Sequence, residues 1–88
     1  MCQQTSIIVN MTSKINNIKT LIGNKIRLER LKKRISQEKF AELADLSKNS
    51  IGAIERGEAS PTIETLAKIA KALDMTISEL TDFSKVDL

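Results

Sequence analysis

Residues 36–57 read SQEKFAELADLSKNSIGAIERG and hold two helix starts joined through one short turn. Ser36 suits an N-cap, and Glu38 places an acid in the first turn that follows, where it complements the helix dipole. Ser47 repeats the start. Between the two, Asp45-Leu46-Ser47 makes a tight turn, and Asp is one of the few non-glycine residues that enters the left-handed region. The pattern predicts helices over 37–44 and 48–56, the second stopped by Gly57. Phe40 and Leu43 are expected to face inward with Ala44 beside them. The small Ala41 lets the two helices approach, and Leu46, Ile51 and Ile54 seal the angle between them. One residue resists this pattern: Gly52 sits inside the second helix, where glycine costs about 1 kcal/mol against alanine.

The flanks supply the rest of a small helical domain. Ile15, Ile18, Ile22 and Ile26 recur at spacings of three and four, Leu21 and Leu28 widen that stripe, and one helix is expected over 14–33, with Gly23–Asn24 as a point where it could break. Its end, KKR, puts cations at a helix C-terminus. Thr62 is the expected cap of a helix whose apolar face holds Ile63, Leu66, Ala67, Ile69, Ala70 and Leu73. Thr76 and Glu79 have capping-box spacing and open a last short helix through Leu80. The fold class is therefore all-α: a compact domain of five helices over 13–83, containing a helix-turn-helix unit. Residues 1–12 form a leader, with SIIV (6–9) read as a flexible or strand-like segment, and 84–88 form a C-terminal tail. Met11 is a second plausible translation start.

Composition narrows the function. With 88 residues, one domain is the default. Such a chain has little core to spare, so a dimer would help it. There is no His, Trp or Tyr and only one Cys, Cys2, read as incidental. That excludes an internal disulfide and leaves no zinc site of the usual kind. No cofactor or metal is expected. No base–nucleophile pair suggests an enzyme. No apolar run reaches the length of a membrane span, and the start lacks a cationic leader, so the chain reads as cytoplasmic. The net charge of +3 is unevenly placed: residues 1–34 carry eight bases and one acid, and residues 35–88 carry six bases and ten acids. A basic half suggests a polyanionic partner. A membrane-surface helix over 14–34 is disfavoured by the absence of Trp and Phe from its apolar face.

The second short helix of the unit has one face for the core and one left open. At about 100° per residue, Ile51 and Ile54 define the inward side. Asn49 and Arg56 lie opposite, Gly52 and Ala53 flank them, and Lys48 sits at the edge. The outward surface is polar at both ends and nearly bare in its middle, which would let the backbone lie close to a large partner. The major groove of DNA admits such a helix. Asn pairs with adenine, Lys reaches guanine and Ala touches a thymine methyl. Arg56 is placed to meet a phosphate, as is Ser47 with the helix N-terminus. The competing explanation is that Gly52 packs against another helix of the protein.

At these residues the chain resembles the lambda-repressor-like helix-turn-helix family, also called the XRE family. The resemblance covers residues 22–80, with SQEKFAELA, IERG, SPTIETLAKIAKAL and TISEL in family order and spacing. It implies a five-helix domain that binds duplex DNA, usually as a symmetric dimer. It implies that Gln37 hydrogen-bonds a phosphate and braces the recognition helix. It places base contacts on Lys48, Asn49 and Ala53, with Ser50 at the margin, and pairs Arg30 with Glu55 in a structural salt bridge. Lys25 joins Gln37, Ser47 and Arg56 as an expected phosphate contact from the basic first helix. Asp45 and Arg34 stand where the family commonly has Gly, so both turns are expected to form under strain. Gly52 and Ala53 replace larger polar residues, so modest base discrimination is expected per monomer.

The function expected is a sequence-specific double-stranded DNA-binding transcriptional regulator, a repressor acting as a dimer on a near-palindromic operator. Two alternatives stand beside it. One is the antitoxin of a toxin–antitoxin pair, with the toxin as protein partner and TSIIV docking on it by strand addition. The other is the controller protein of a restriction–modification operon. The dimer surface is expected at Ile77, Leu80, Phe83 and Val86, or failing that at the leader.

Overall fold

The structure, a computed structural model, describes residues 18–83. The leader, Ile15 at the head of the first apolar stripe, and the tail with Val86 lie outside them. Helix α1 runs over 18–32, and α2 (Gln37–Ala44), α3 (Lys48–Glu55), α4 (Ile63–Ala72) and α5 (Ile77–Leu80) follow, with no strand among the described residues. The five-helix expectation holds, and α1 passes through Gly23 and Asn24 without a break.

Each start after α1 is set by a hydroxyl cap. The side chains of Ser36, Ser47, Thr62 and Thr76 accept from the backbone N–H of Lys39, Ser50, Thr65 and Glu79 respectively, satisfying donors that a helix start leaves open. At α5 the bond is reciprocal, because Glu79 reaches back to the backbone N–H of Thr76 at 2.9 Å.

The stops share one geometry. Arg34, Asp45, Gly57 and Asp74 all have φ between 57° and 74°. Each donates its N–H to the carbonyl three residues back, and the next residue donates to the carbonyl five residues back: Leu46 to Ala41 and Met75 to Ala70 at 2.9 Å, Ile35 to Arg30 at 3.5 Å. This is the Schellman stop, in which glycine is the usual left-handed residue. Here glycine fills it once. At the other three, the residue after the stop is Ile35, Leu46 or Met75, each packed against the core. That apolar contact holds the chain in the turn where the backbone alone would resist it.

Ile26, Phe40, Ile51, Ile69, Leu73 and Leu80 are fully buried and form the centre of the core. Burying each such side chain contributes about 1.5–3 kcal/mol. Ile51 and Ile54 face inward, and Leu46 is packed at the edge of the core, as the turn requires. Ile18, at the start of the described part of α1, is 38% exposed although its stripe faces the core, and four further inward assignments are corrected. Leu28 is 50% exposed, Leu43 52% and Ile63 70%, and Ala67 is also exposed. Each lies at the flank of its stripe, outside the angle that neighbouring helices cover. Leu80 is buried, so it is not available to the expected dimer surface, whereas Ile77 is exposed. No helix among the described residues is long and apolar enough to cross a membrane.

Candidate nucleic-acid interface

Helix α3 is held from behind at its last residue. Arg30 of α1 donates Nε to Glu55 Oε2 at 2.7 Å and Nη2 to Glu55 Oε1 at 3.1 Å. Gln37 of α2 adds a bond from Nε2 to Glu55 Oε1 at 3.0 Å. Arg30 also donates Nη1 to the carbonyl oxygen of Ile35, at 2.8 Å, fixing the turn between α1 and α2. Arg30 and Glu55 are both buried, so the charges have left water and are compensated by paired, directed hydrogen bonds. The pair that the family resemblance implied is thus present. Gln37 braces α3 as expected, and the rest of its amide lies at a groove edge.

A close approach of two helices also falls at this end of α3. A Cβ on Gly23 would overlap the carbonyl oxygen of Ile54 and lie 2.9 Å from that of Glu55. Gly23 is therefore the crossing point of α1 on α3, a role that the sequence reading gave only as a weak spot in α1. Ser47 holds the opposite end: its Oγ accepts from the N–H of Ser50 at 3.0 Å and donates to Ser50 Oγ at 2.8 Å.

With both ends held, α3 presents Lys48, Asn49 and Ser50 as exposed residues and Ala53 as a half-buried one. Two grooves border this ridge. A polar one between α1, α2 and α3 is lined by Asn24, Arg27, Arg30, Gln37, Glu55 and Arg56. A more apolar one on the far side includes Asn49, Ser50, Ala53, Pro61, Thr62 and Thr65. The structure therefore brings Gln37, Ser47, Lys48, Asn49, Ser50, Ala53 and Arg56 onto or beside one exposed ridge.

Lys25 does not join them. Its Nζ lies 3.6 Å from Glu29, which also pairs with Lys32 at 3.2 Å, and its charge is felt by the Glu79 carboxylate at α5. Besides the clamped Arg30, the α1 cation in the groove beside α3 is Arg27, exposed and with no acidic partner among the described residues. The sequence-based expectation of Lys25 is corrected here: either face of α1 carries bases, and which face meets α3 is set by packing that the sequence does not display.

Gly52 also departs from expectation. It is buried, not bare, and the Arg56 guanidinium lies against it. The three nearest atoms to a Cβ placed there all belong to Arg56, not to another helix. Arg56 in turn donates Nε to Glu58 Oε2 at 2.9 Å. That hydrogen bond holds the Glu58 carboxyl below the usual carboxylate range and raises Arg56 further above neutrality.

Such a ridge, two braced helices with the second turned outward, defines a helix-turn-helix protein. A helix-turn-helix family model matches residues 26–80, and the chain belongs to that family, as a DNA-binding regulator of transcription. It is 42% identical over 72 residues to the control protein C.BamHI of Bacillus amyloliquefaciens, spanning 81% of this chain and 89% of the relative. It is 38% identical over 74 residues to the control protein C.MunI of a Mycoplasma species, spanning 83% of this chain and 97% of that one. Its fold superposes with TM-score 0.68 on the restriction–modification controller protein C.AhdI of Aeromonas hydrophila, at 34% identity, over 69% of this chain and 92% of that one.

Proposed function

We propose that the chain acts as a symmetric dimer that sets two α3 helices into successive major grooves of a near-palindromic operator, about 34 Å apart. The observation that carries this reading is the division of labour along α3: Glu55 is clamped at the rear while Lys48, Asn49, Ser50 and Ala53 stand outward with no structural duty beyond the Ser47–Ser50 cap. Lys48 and Asn49 read base edges, Ser50 and Ala53 touch the groove beside them, and Gln37, Ser47, Arg27 and Arg56 meet phosphates. Bound at a promoter, the dimer acts by occupancy, in the cytoplasm, without a cofactor and without a chemical step.

Among regulators, the reading favoured is the controller of a restriction–modification operon. The support is the match to proteins so described over nearly their whole length. Selection of duplexes from a random DNA pool tests the reading. A two-fold-symmetric motif with half-sites one helical turn apart is expected, with Lys48→Ala and Asn49→Ala each relaxing preference at particular base pairs. Sedimentation of the free and DNA-bound chain tests the dimer. Enrichment of no sequence, with only weak salt-sensitive binding, would exclude a stand-alone regulator.

A further inference from the structure

Three cations surround the outward face of α3. Arg27 and Lys48 have no acidic partner among the described residues, whereas Arg56 is held by Glu58 across the turn at Gly57. The guanidinium so held lies across the middle of the ridge, with Nη1 2.9 Å and Cζ 3.7 Å from where a Cβ on Gly52 would stand. Helix α3 thus has a gap in its side-chain surface, filled by a side chain that an acid outside the helix keeps in place.

We propose that Glu58 is an internal competitor of DNA: it keeps Arg56 folded over Gly52 in the free protein, and DNA must take Arg56 from it before α3 seats fully. The inference rests on α3 being the recognition helix. A phosphate diester offers a guanidinium the same anionic oxygen acceptors as a carboxylate. Arg56 therefore exchanges one partner for another, and the exchange uncovers Gly52 for close approach of the helix. The Arg56 and Glu58 side chains are 57% and 60% exposed, so the pair is weak enough for DNA to open. Glu58 keeps affinity below what α3 would reach alone, which makes it a positioning residue that acts through Arg56.

The test is a double-mutant cycle on the full chain, binding the duplex that selection yields, across a series of salt concentrations. Wild type, Glu58→Gln, Arg56→Gln and the double variant are compared. Glu58→Gln is expected to tighten binding about twofold to fivefold, and to steepen the salt dependence by about one released counterion. Both gains are expected to vanish in the Arg56→Gln background. Equal gains in both backgrounds would mean that Glu58 acts as bulk charge and would overturn the proposal, as would no gain at all. The free protein gives a second readout: the Arg56 Nε–H resonance should be protected from exchange in wild type and exposed in Glu58→Gln. An exposed Nε–H in wild type would overturn the latch even if DNA binding is confirmed. Absence of specific binding by all four proteins would instead overturn the recognition-helix reading, and the latch with it.

Discussion

Gly23 of α1 stands directly against the carbonyl oxygen of Ile54 in α3, and no side chain fits between them. A flexible neighbour could swing aside; a helix carbonyl can do so only by moving its helix. Gly23→Ala gains about 1 kcal/mol of helix propensity, but overpacking at a backbone contact costs about 1–3 kcal/mol or more. A net loss of about 1–2 kcal/mol is expected, read as a lowered thermal midpoint. DNA affinity should fall with it, since the displaced end of α3 carries Glu55. A midpoint at or above wild type would show that α1 can shift freely.

Glu55 receives hydrogen bonds from both Arg30 and Gln37. Glu55→Ala strands a buried guanidinium, and breaking such a pair on one side costs about 3–5 kcal/mol. That is a large part of the stability of a small domain. Urea unfolding should show a variant largely unfolded in mild denaturant, whereas Glu55→Gln, which keeps the shape and part of the bonding, should lose less.

Arg34 holds a left-handed conformation with its side chain in solvent. A non-glycine residue there stores about 1 kcal/mol or more of strain. Arg34→Gly removes the strain but adds freedom to the unfolded chain. The expected result is a gain of up to about 1 kcal/mol in unfolding free energy, measured by denaturant titration. A loss would mean that the Ile35 contact already relieves the strain.

The Glu79 carboxyl is held below the usual carboxylate range, first by the backbone N–H of Thr76, then by its hydroxyl, with Lys25 adding a smaller pull. A depressed folded-state pKa contributes stability that is fully present above the unfolded-state value and is lost as pH falls through the folded one. Glu79→Gln keeps a capping acceptor but cannot titrate. The difference in stability between wild type and Glu79→Gln should therefore be largest near neutrality and shrink below the carboxylate range. A difference independent of pH would place the effect in packing.

Local chemistry made the helix starts and the Asp45 turn legible in the sequence, because a hydroxyl and the N–H it accepts from are three residues apart. Asp74 was not legible as a left-handed stop: its signal is the apolar Met75 that follows, which reads as part of α5 or its approach. Stripe periodicity found the centre of each apolar face but not its edges, so Leu28, Leu43 and Ile63 were placed inside. What a residue far along the chain will touch is not written in its neighbours. Gly23 read as weakness in α1 when it marks a crossing, and Arg27 could not be preferred to Lys25. The Arg30–Glu55 pair entered only through family resemblance. Arg56 over Gly52 escaped because the helical wheel stops at the helix, and Glu58 lies past it.

The clamp on Glu55 has a consequence for how such a protein can diverge. The side chains that hold α3 in place and those that stand outward on it are different sets. A change at Lys48, Asn49 or Ala53 leaves the Arg30–Glu55–Gln37 bonds and the Ser47 cap untouched. On the proposed reading of α3, the outward positions form a replaceable cassette on a fixed mount: a lineage would drift from one target sequence to another by single substitutions there, each passing through a folded intermediate.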